Sequence, residues 1–185
     1  MNWKVPAEHT VDNAILAAEL QIFHVQYATN RQVALSILFD ESLSWKESKL
    51  KTCFFESFDF SSASQSILQG KTLDLIDIPL KEFLNYLPQD KYIYYDGSET
   101  LPECSPSVTW IVNMSPFAIT SDQVQELKSL LSPEVQASGN ARNIQEQNGR
   151  TIYKFDNSKQ TVAASALALE TCLLATSMFL ATLAI

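Results

Sequence analysis

The chain has 185 residues, 46% of them apolar and 18% charged, with a formal net charge of -8 and a pI near 4.7. That is long enough for one domain with a sizeable core and too apolar for a disordered chain. The acidic balance repels phosphate backbones and only four glycines are present, which disfavours nucleic acid as a partner and a glycine-cradled nucleotide site.

Residues 1–20 contain no charged region followed by an apolar run, so no signal peptide is read there. Residues 17–27 combine alternation with β-formers and predict a half-buried strand. Glu19, Gln21 and Phe23 point to one face, and Leu20, Ile22 and His24 to the other. Residues 32–39 are apolar on both sides and predict a central strand. Residues 42–52 have helical spacing through Leu43 and Leu50, and residues 73–78 form a short strand or turn stopped by Pro79. Leu80, Phe83, Leu84 and Leu87 predict a short helix over 79–87. A strand over 91–95 ends at Asp96-Gly97, a turn signal.

Residues 107–113 are the strongest strand, and Thr120 with Gln123 forms a capping box for a helix through Leu131. Val124, Leu127 and Leu131 are its expected buried face. A last strand is expected over 151–155. Asn113-Met114-Ser115 is a glycosylation sequon, but it ends a buried-looking strand, which argues against occupancy. The count of strands against short helices predicts a β-rich α+β domain over residues 1–156.

Residues 157–170 read as a linker and 171–185 as an apolar tail. As a helix that tail would reach roughly 22 Å, short of a hydrocarbon core of about 30 Å. It suits a GPI-attachment signal, with Asn157, Ser158 or the small residues 163–166 as the attachment point. The alternative, a tail-anchored helix from Val162, places Glu170 inside the bilayer at a cost of about a few kcal/mol. Either reading expects a membrane or cell-surface location, provided a signal peptide lies upstream of Met1.

Soft metal ligands are few: Cys53, Cys104, Cys172, His9 and His24, with no CxxC spacing. A zinc site of the common kinds would need nearly all of them to converge, so ordinary core or surface residues are the plainer reading.

Three stretches share a distinctive order. Pro6-Ala7-Glu8-His9-Thr10 is followed by Ala18-Glu19-Leu20-Gln21-Ile22-Phe23-His24. Gly97-Ser98-Glu99-Thr100-Leu101-Pro102-Glu103-Cys104 is followed by Val108-Thr109-Trp110-Ile111-Val112. Asn140-Ala141-Arg142-Asn143-Ile144-Gln145 is followed by Asn148-Gly149-Arg150. Over about residues 2–155 this resembles the α-carbonic anhydrase family, whose patterns are P-S-E-H-T with A-E-L-H-L-V-H, G-S-L-T-T-P-P-C with V-T-W-I-V, and N-x-R-x-x-Q with N-G-R. The resemblance implies a mostly antiparallel central sheet with short peripheral helices and a conical cleft. The N-terminal third of the family domain has no counterpart in this chain. It also implies that Cys104 is one half of a disulfide whose usual partner would precede Met1, with Cys53 a substitute.

The family reaction is reversible hydration of carbon dioxide to bicarbonate, by hydroxide on a zinc held by three histidines. The resemblance puts those positions at Asn2, Lys4 and Gln21. Amides are weak zinc ligands and an ammonium repels a dication, so no cofactor is expected. By the same resemblance, Glu19 orients the third ligand, and Glu8 with Thr100 orients the hydroxide. Phe23, Leu35 and Trp110 wall the carbon dioxide pocket, with Glu99 and Leu101 replacing usual wall residues. His9 and His24 match family histidines that are not ligands, His24 being a hydrogen-bonded structural one. Taken as residues alone, Glu8 and Glu19 read as surface acids on a strand and Trp110 as core. Lys4 either pairs with Glu8, Glu19 or Glu99, replacing the cation by an ammonium, or is solvated near the chain start.

The expectation is a catalytically silent carbonic-anhydrase-like binding module attached to a membrane, as in the family's ligandless carbonic-anhydrase-related members. Two alternatives stay open. One is an active zinc enzyme with ligands supplied from an N-terminal extension. The other is a fragment that does not fold alone.

Overall fold

The computed structural model describes residues 1–44, 58, 60, 80–85, 87 and 90–157. Its strands are β1 (Asn2–Lys4), β2 (Thr10–Val11), β3 (Ala14–Ile15), β4 (Ala18–Gln26), β5 (Arg31–Asp40), β6 (Lys91–Gly97), β7 (Val108–Asn113), β8 (Phe117–Ala118) and β9 (Tyr153–Asp156). Its helices are α1 (Leu80–Asn85) and α2 (Ser121–Ser129). Seven strands make one sheet in the order β1-β4-β5-β7-β6-β9, with β8 beside β5. Among the described residues, only the β5 pairings with β7 and β8 are parallel. β2 and β3 form a separate hairpin.

The period of two along β4 and β5 decides what each face carries. On one face Trp3, Leu20, Ile22, Ile37 and Phe39 join Phe58, Phe60, Phe117 and the α2 residues Val124 and Leu127 in the main core. On the other, Ala34, Leu38, Trp110 and Val112 join Ala7 and Leu16 in a second cluster. Lys4, Glu19 and Gln21 fall on this second face, because register places Lys4 opposite Glu19 and Asn2 opposite Gln21. The capping box forms as read: Thr120 accepts from the Gln123 N–H, and the Gln123 side chain accepts from the Thr120 N–H. Asn113 is buried at the end of β7, and its Oδ1 accepts from the Ser115 N–H at 2.8 Å.

Several boundaries differ from the sequence reading. Asp96-Gly97 is not a turn; β6 continues through it, pairing Asp96 with Thr109 and Gly97 with Val108. The Thr109 hydroxyl donates to Asp96 Oδ1 at 2.8 Å. A Cβ on Gly97 would sit 2.8 Å from the Tyr95 ring and 2.9 Å from Trp110, so this glycine serves packing. Helix α2 ends at Ser129, and Leu131 is only half-buried beyond it. His24 lies on the exposed end of β4, not in a structural hydrogen-bond network. The last strand starts two residues later than expected, at Tyr153. The helix over 42–52 falls outside the described residues after position 44, as do the strand at 73–78, Cys53, Cys172, most of the linker and the tail. Among the described residues no helix is long and apolar enough to cross a membrane.

One loop after α2 fixes β1 in place. Asn140 Oδ1 accepts from the Val5 N–H at 2.9 Å, and Asn140 Nδ2 donates to the Trp3 carbonyl at 2.9 Å. The Asn140 N–H donates to the Val5 carbonyl at 3.1 Å. The close approach needs Gly139, whose φ is +81° and whose Cβ, if it had one, would lie 2.0 Å from the Val5 oxygen. Gly139→Ala is therefore expected to cost about 2 kcal/mol or more, read as a fall in the thermal midpoint. An unchanged melt would mean that this loop does not hold β1.

Candidate functional site

Lys4 ends β1 with only 3% of its surface exposed, and its Nζ lies 2.8 Å from Glu8 Oε1. Glu8 stands in the turn that follows, and its side chain is 6% exposed. The same Oε1 accepts from the Arg142 N–H at 2.8 Å, and Glu8 Oε2 accepts from Gln21 Nε2 at 2.8 Å. Gln21 Nε2 also donates to Glu19 Oε1 at 2.9 Å. Glu19, wholly buried, accepts the N–H groups of Glu8 and His9 on Oε2 at 2.8 and 2.9 Å. His9 Nδ1 lies 2.8 Å from Glu19 Oε1, and His9 Nε2 lies 2.7 Å from the Tyr95 hydroxyl.

Charge balance explains why this cluster tolerates burial. Burial pushes the Glu19 carboxyl up, but the His9 charge and the hydrogen bonds from His9 and Gln21 outweigh it and hold the group at about 2, below the ordinary 4.5. Burial pushes the Tyr95 phenol up to about 12; Arg150 opposes this while Glu19 and Glu8 add to it. The phenol therefore stays protonated in this setting.

The positions that the resemblance assigns to zinc carry an ammonium and two amides. Lys4 has its lone pair on a proton and its charge on Glu8. Gln21 faces two carboxylates, which only accept, so it must present its N–H groups to them. Its Oε1 is left buried with no partner. Two amide oxygens, from Asn2 and Gln21, beside an ammonium are a weak and charge-repelled donor set for a divalent cation, so these residues do not fit zinc. Among the described residues no group of three or more His, Cys, Asp or Glu side chains converges to hold a metal.

The remaining site residues are only partly brought together. Glu8 and Thr100 line the same cavity, but Thr100 Oγ1 is buried without a partner and does not bond the carboxylate. Phe23 and Trp110 meet edge to face at 5.6 Å. Leu35 is on the opposite face: it is paired with Ile111 and Ile22 and lines a cavity with Leu84, Leu87 and Tyr92. Ala34, opposite both Phe23 and Trp110, stands where Leu35 was expected, since a one-residue offset reverses a strand side chain. Asn2, Phe23, Gln32, Glu99, Thr100 and Leu101 bound a cavity of about 200 Å³. The Gln32 amide donates to Glu99 there, so a carboxylate does stand in this wall. Cys104 is half-buried and free among the described residues. His9 and Tyr95 belong to the cluster, although sequence reading gave His9 only as a histidine that is not a ligand and Tyr95 only within a strand.

Comparisons with known proteins bear on the family and the fold. The family model described as eukaryotic-type carbonic anhydrase matches residues 2–156. Carbonic anhydrase 3 of Homo sapiens is 30% identical over 159 residues, 79% of this chain and 58% of that protein. Carbonic anhydrase-like protein 2 of Caenorhabditis elegans is 29% identical over 180 residues, 86% of this chain and 50% of that protein. The crystal structure of a halotolerant carbonic anhydrase from Dunaliella salina matches with a TM-score of 0.61 at 25% identity, covering 83% of this chain and 58% of that one. The chain thus spans about half the length of the curated relatives it matches.

The Glu19 shift sets an acid limit on stability. A folded value of about 2 against an ordinary 4.5 stabilises the fold fully above pH 4.5, and that part is lost as pH falls toward 2. Denaturant unfolding of the protein should weaken over that window by on the order of 3 kcal/mol from this group, and Glu19→Gln should flatten the slope. Equal slopes for the two proteins would contradict the assignment.

Proposed function

The chain belongs to the eukaryotic-type carbonic anhydrase family, and from that premise we propose that it is a catalytically silent member, a binding module that holds no zinc. One observation carries the reading: the Lys4 ammonium is buried against Glu8, while Gln21 turns both amide hydrogens to Glu8 and Glu19. Family chemistry needs a water made acidic by a metal, and zinc would supply that. Here Glu8 already faces the Lys4 ammonium and Glu19 the His9 ring. The Glu8 carboxylate also accepts from Lys4 and backbone, with no bond to the Thr100 hydroxyl.

The sheet supports what is left: a rigid face, an intact ionic cluster and cavities beside it. Attachment to a membrane through residues 171–185 is part of the same proposal, supported by the composition of that segment. Release of the cell-surface protein by a phosphatidylinositol-specific phospholipase would support a GPI anchor, and retention would argue for a spanning tail.

Purified protein is expected to carry far less than one zinc per chain and to leave carbon dioxide hydration at its uncatalysed rate. Metal analysis and stopped-flow hydration read the two directly. Stoichiometric zinc together with hydration inhibited by an aryl sulfonamide would overturn the proposal in favour of an active enzyme.

A further inference from the structure

We propose that the cavity lined by Arg142, Arg150 and Ile144, which borders the Lys4–Glu8 pair, binds a small organic carboxylate. The argument starts from charge. The chain has 21 acidic residues against 13 basic ones and only three arginines, two of which line this one cavity. Surface arginines in so acidic a chain would ordinarily find carboxylates. Among the described residues the ion pairs are Lys4–Glu8 and His9–Glu19, so neither cavity arginine has one.

Both guanidinium groups are instead held by neutral acceptors. Arg142 Nη1 donates to Ser98 Oγ at 3.1 Å and to the Glu99 carbonyl at 3.2 Å. Arg150 donates from Nε to the Gln147 carbonyl at 3.0 Å and from Nη2 to the Glu146 carbonyl at 2.6 Å, and its Cζ lies 5.7 Å from the Tyr95 ring centre. These contacts fix the planar groups without neutralising them. Arg142 Nε and Nη2 and Arg150 Nη1 keep N–H donors with no partner among the described residues. The one carboxylate on the cavity wall, Glu8, is committed to Lys4. Thr100, on the same wall, adds a buried hydroxyl that has no partner.

Size and lining narrow the ligand. The cavity is about 220 Å³, larger than the roughly 150 Å³ apolar cavity that takes up benzene. Ile144 and Ile152, 63% and 44% exposed, stand on its wall. An anion with an apolar body would cover these isoleucines and present its carboxylate to the arginine forks, whereas inorganic phosphate would leave them in water.

Calorimetry on the full chain with sodium benzoate, benzamide and inorganic phosphate tests this. Benzoate should bind one to one, with benzamide and phosphate weaker by about tenfold or more. Arg150→Gln should weaken benzoate by about tenfold while the thermal midpoint holds, since its bonds go to exposed backbone. Ile144→Ser, on the surface, should weaken it by a few fold, which keeps the test open if the arginine variant misfolds. Prior treatment with a chelator should change nothing. Binding lost on chelation would place the anion on a metal and overturn this site and the silent reading together. Benzamide or phosphate binding as tightly as benzoate, no heat with benzoate, or indifference to both variants would overturn this site alone.

Discussion

Burying an ammonium is unfavourable by several kcal/mol unless a carboxylate comes with it and the remaining polar atoms are satisfied. Lys4 has that carboxylate in Glu8 at 2.8 Å, and Glu8 is itself held by the Gln21 amide and the Arg142 N–H, while Gln21 Oε1 stays without a partner. Glu19 continues the chain of contacts to His9 and Tyr95. Removing any one charge would leave its partner stranded in a dry interior, so the members of this cluster stand or fall together. Such a pair is weak evidence for stability; its bearing on the chemistry is that a paired ammonium stands at one of the three positions that the resemblance assigns to zinc ligands.

The sheet makes this arrangement unavoidable. Antiparallel pairing of β1 with β4 sets Lys4 opposite Glu19 and Asn2 opposite Gln21, and the alternation of side chains puts all four on one face. The opposite face is sealed by Phe39, Phe117 and the apolar stripe of α2. Because β5 pairs β4 on one side and β7 on the other, Trp110 is brought over Phe23 and closes the floor beside the cluster. The loop at Gly139 and Asn140 locks β1 from outside and carries the chain on to Arg142, whose N–H reaches Glu8. Strand register, loop geometry and ionic pairing therefore converge on the same few residues.

Much of this was legible in the sequence, for physical reasons that can be named. The alternation over 17–27 and the apolar run over 32–39 correspond to β4 and β5, and the Thr120–Gln123 capping box forms. Glu8 is one of the three partners, with Glu19 and Glu99, that the resemblance brought near Lys4. Leu35 was misplaced because a pattern match one residue out of step is harmless in a loop but reverses the face in a strand. The Asp96-Gly97 dipeptide carries turn chemistry, yet tertiary crowding by Tyr95 and Trp110 explains the glycine better. The partnerships of His9, Tyr95 and Arg150 join residues distant in the chain, and no local period encodes them. Two arginines close together in an otherwise acidic chain were the available sign of the second cavity.

On the proposed silent reading, Lys4 stands where an active relative would hold its metal. Crystals grown in excess zinc, measured on both sides of the zinc absorption edge, test that with least interpretation. No anomalous peak within coordinating distance of positions 2, 4 and 21, and Lys4 Nζ still against Glu8, is the predicted result. A peak there, with the lysine swung away, would contradict it.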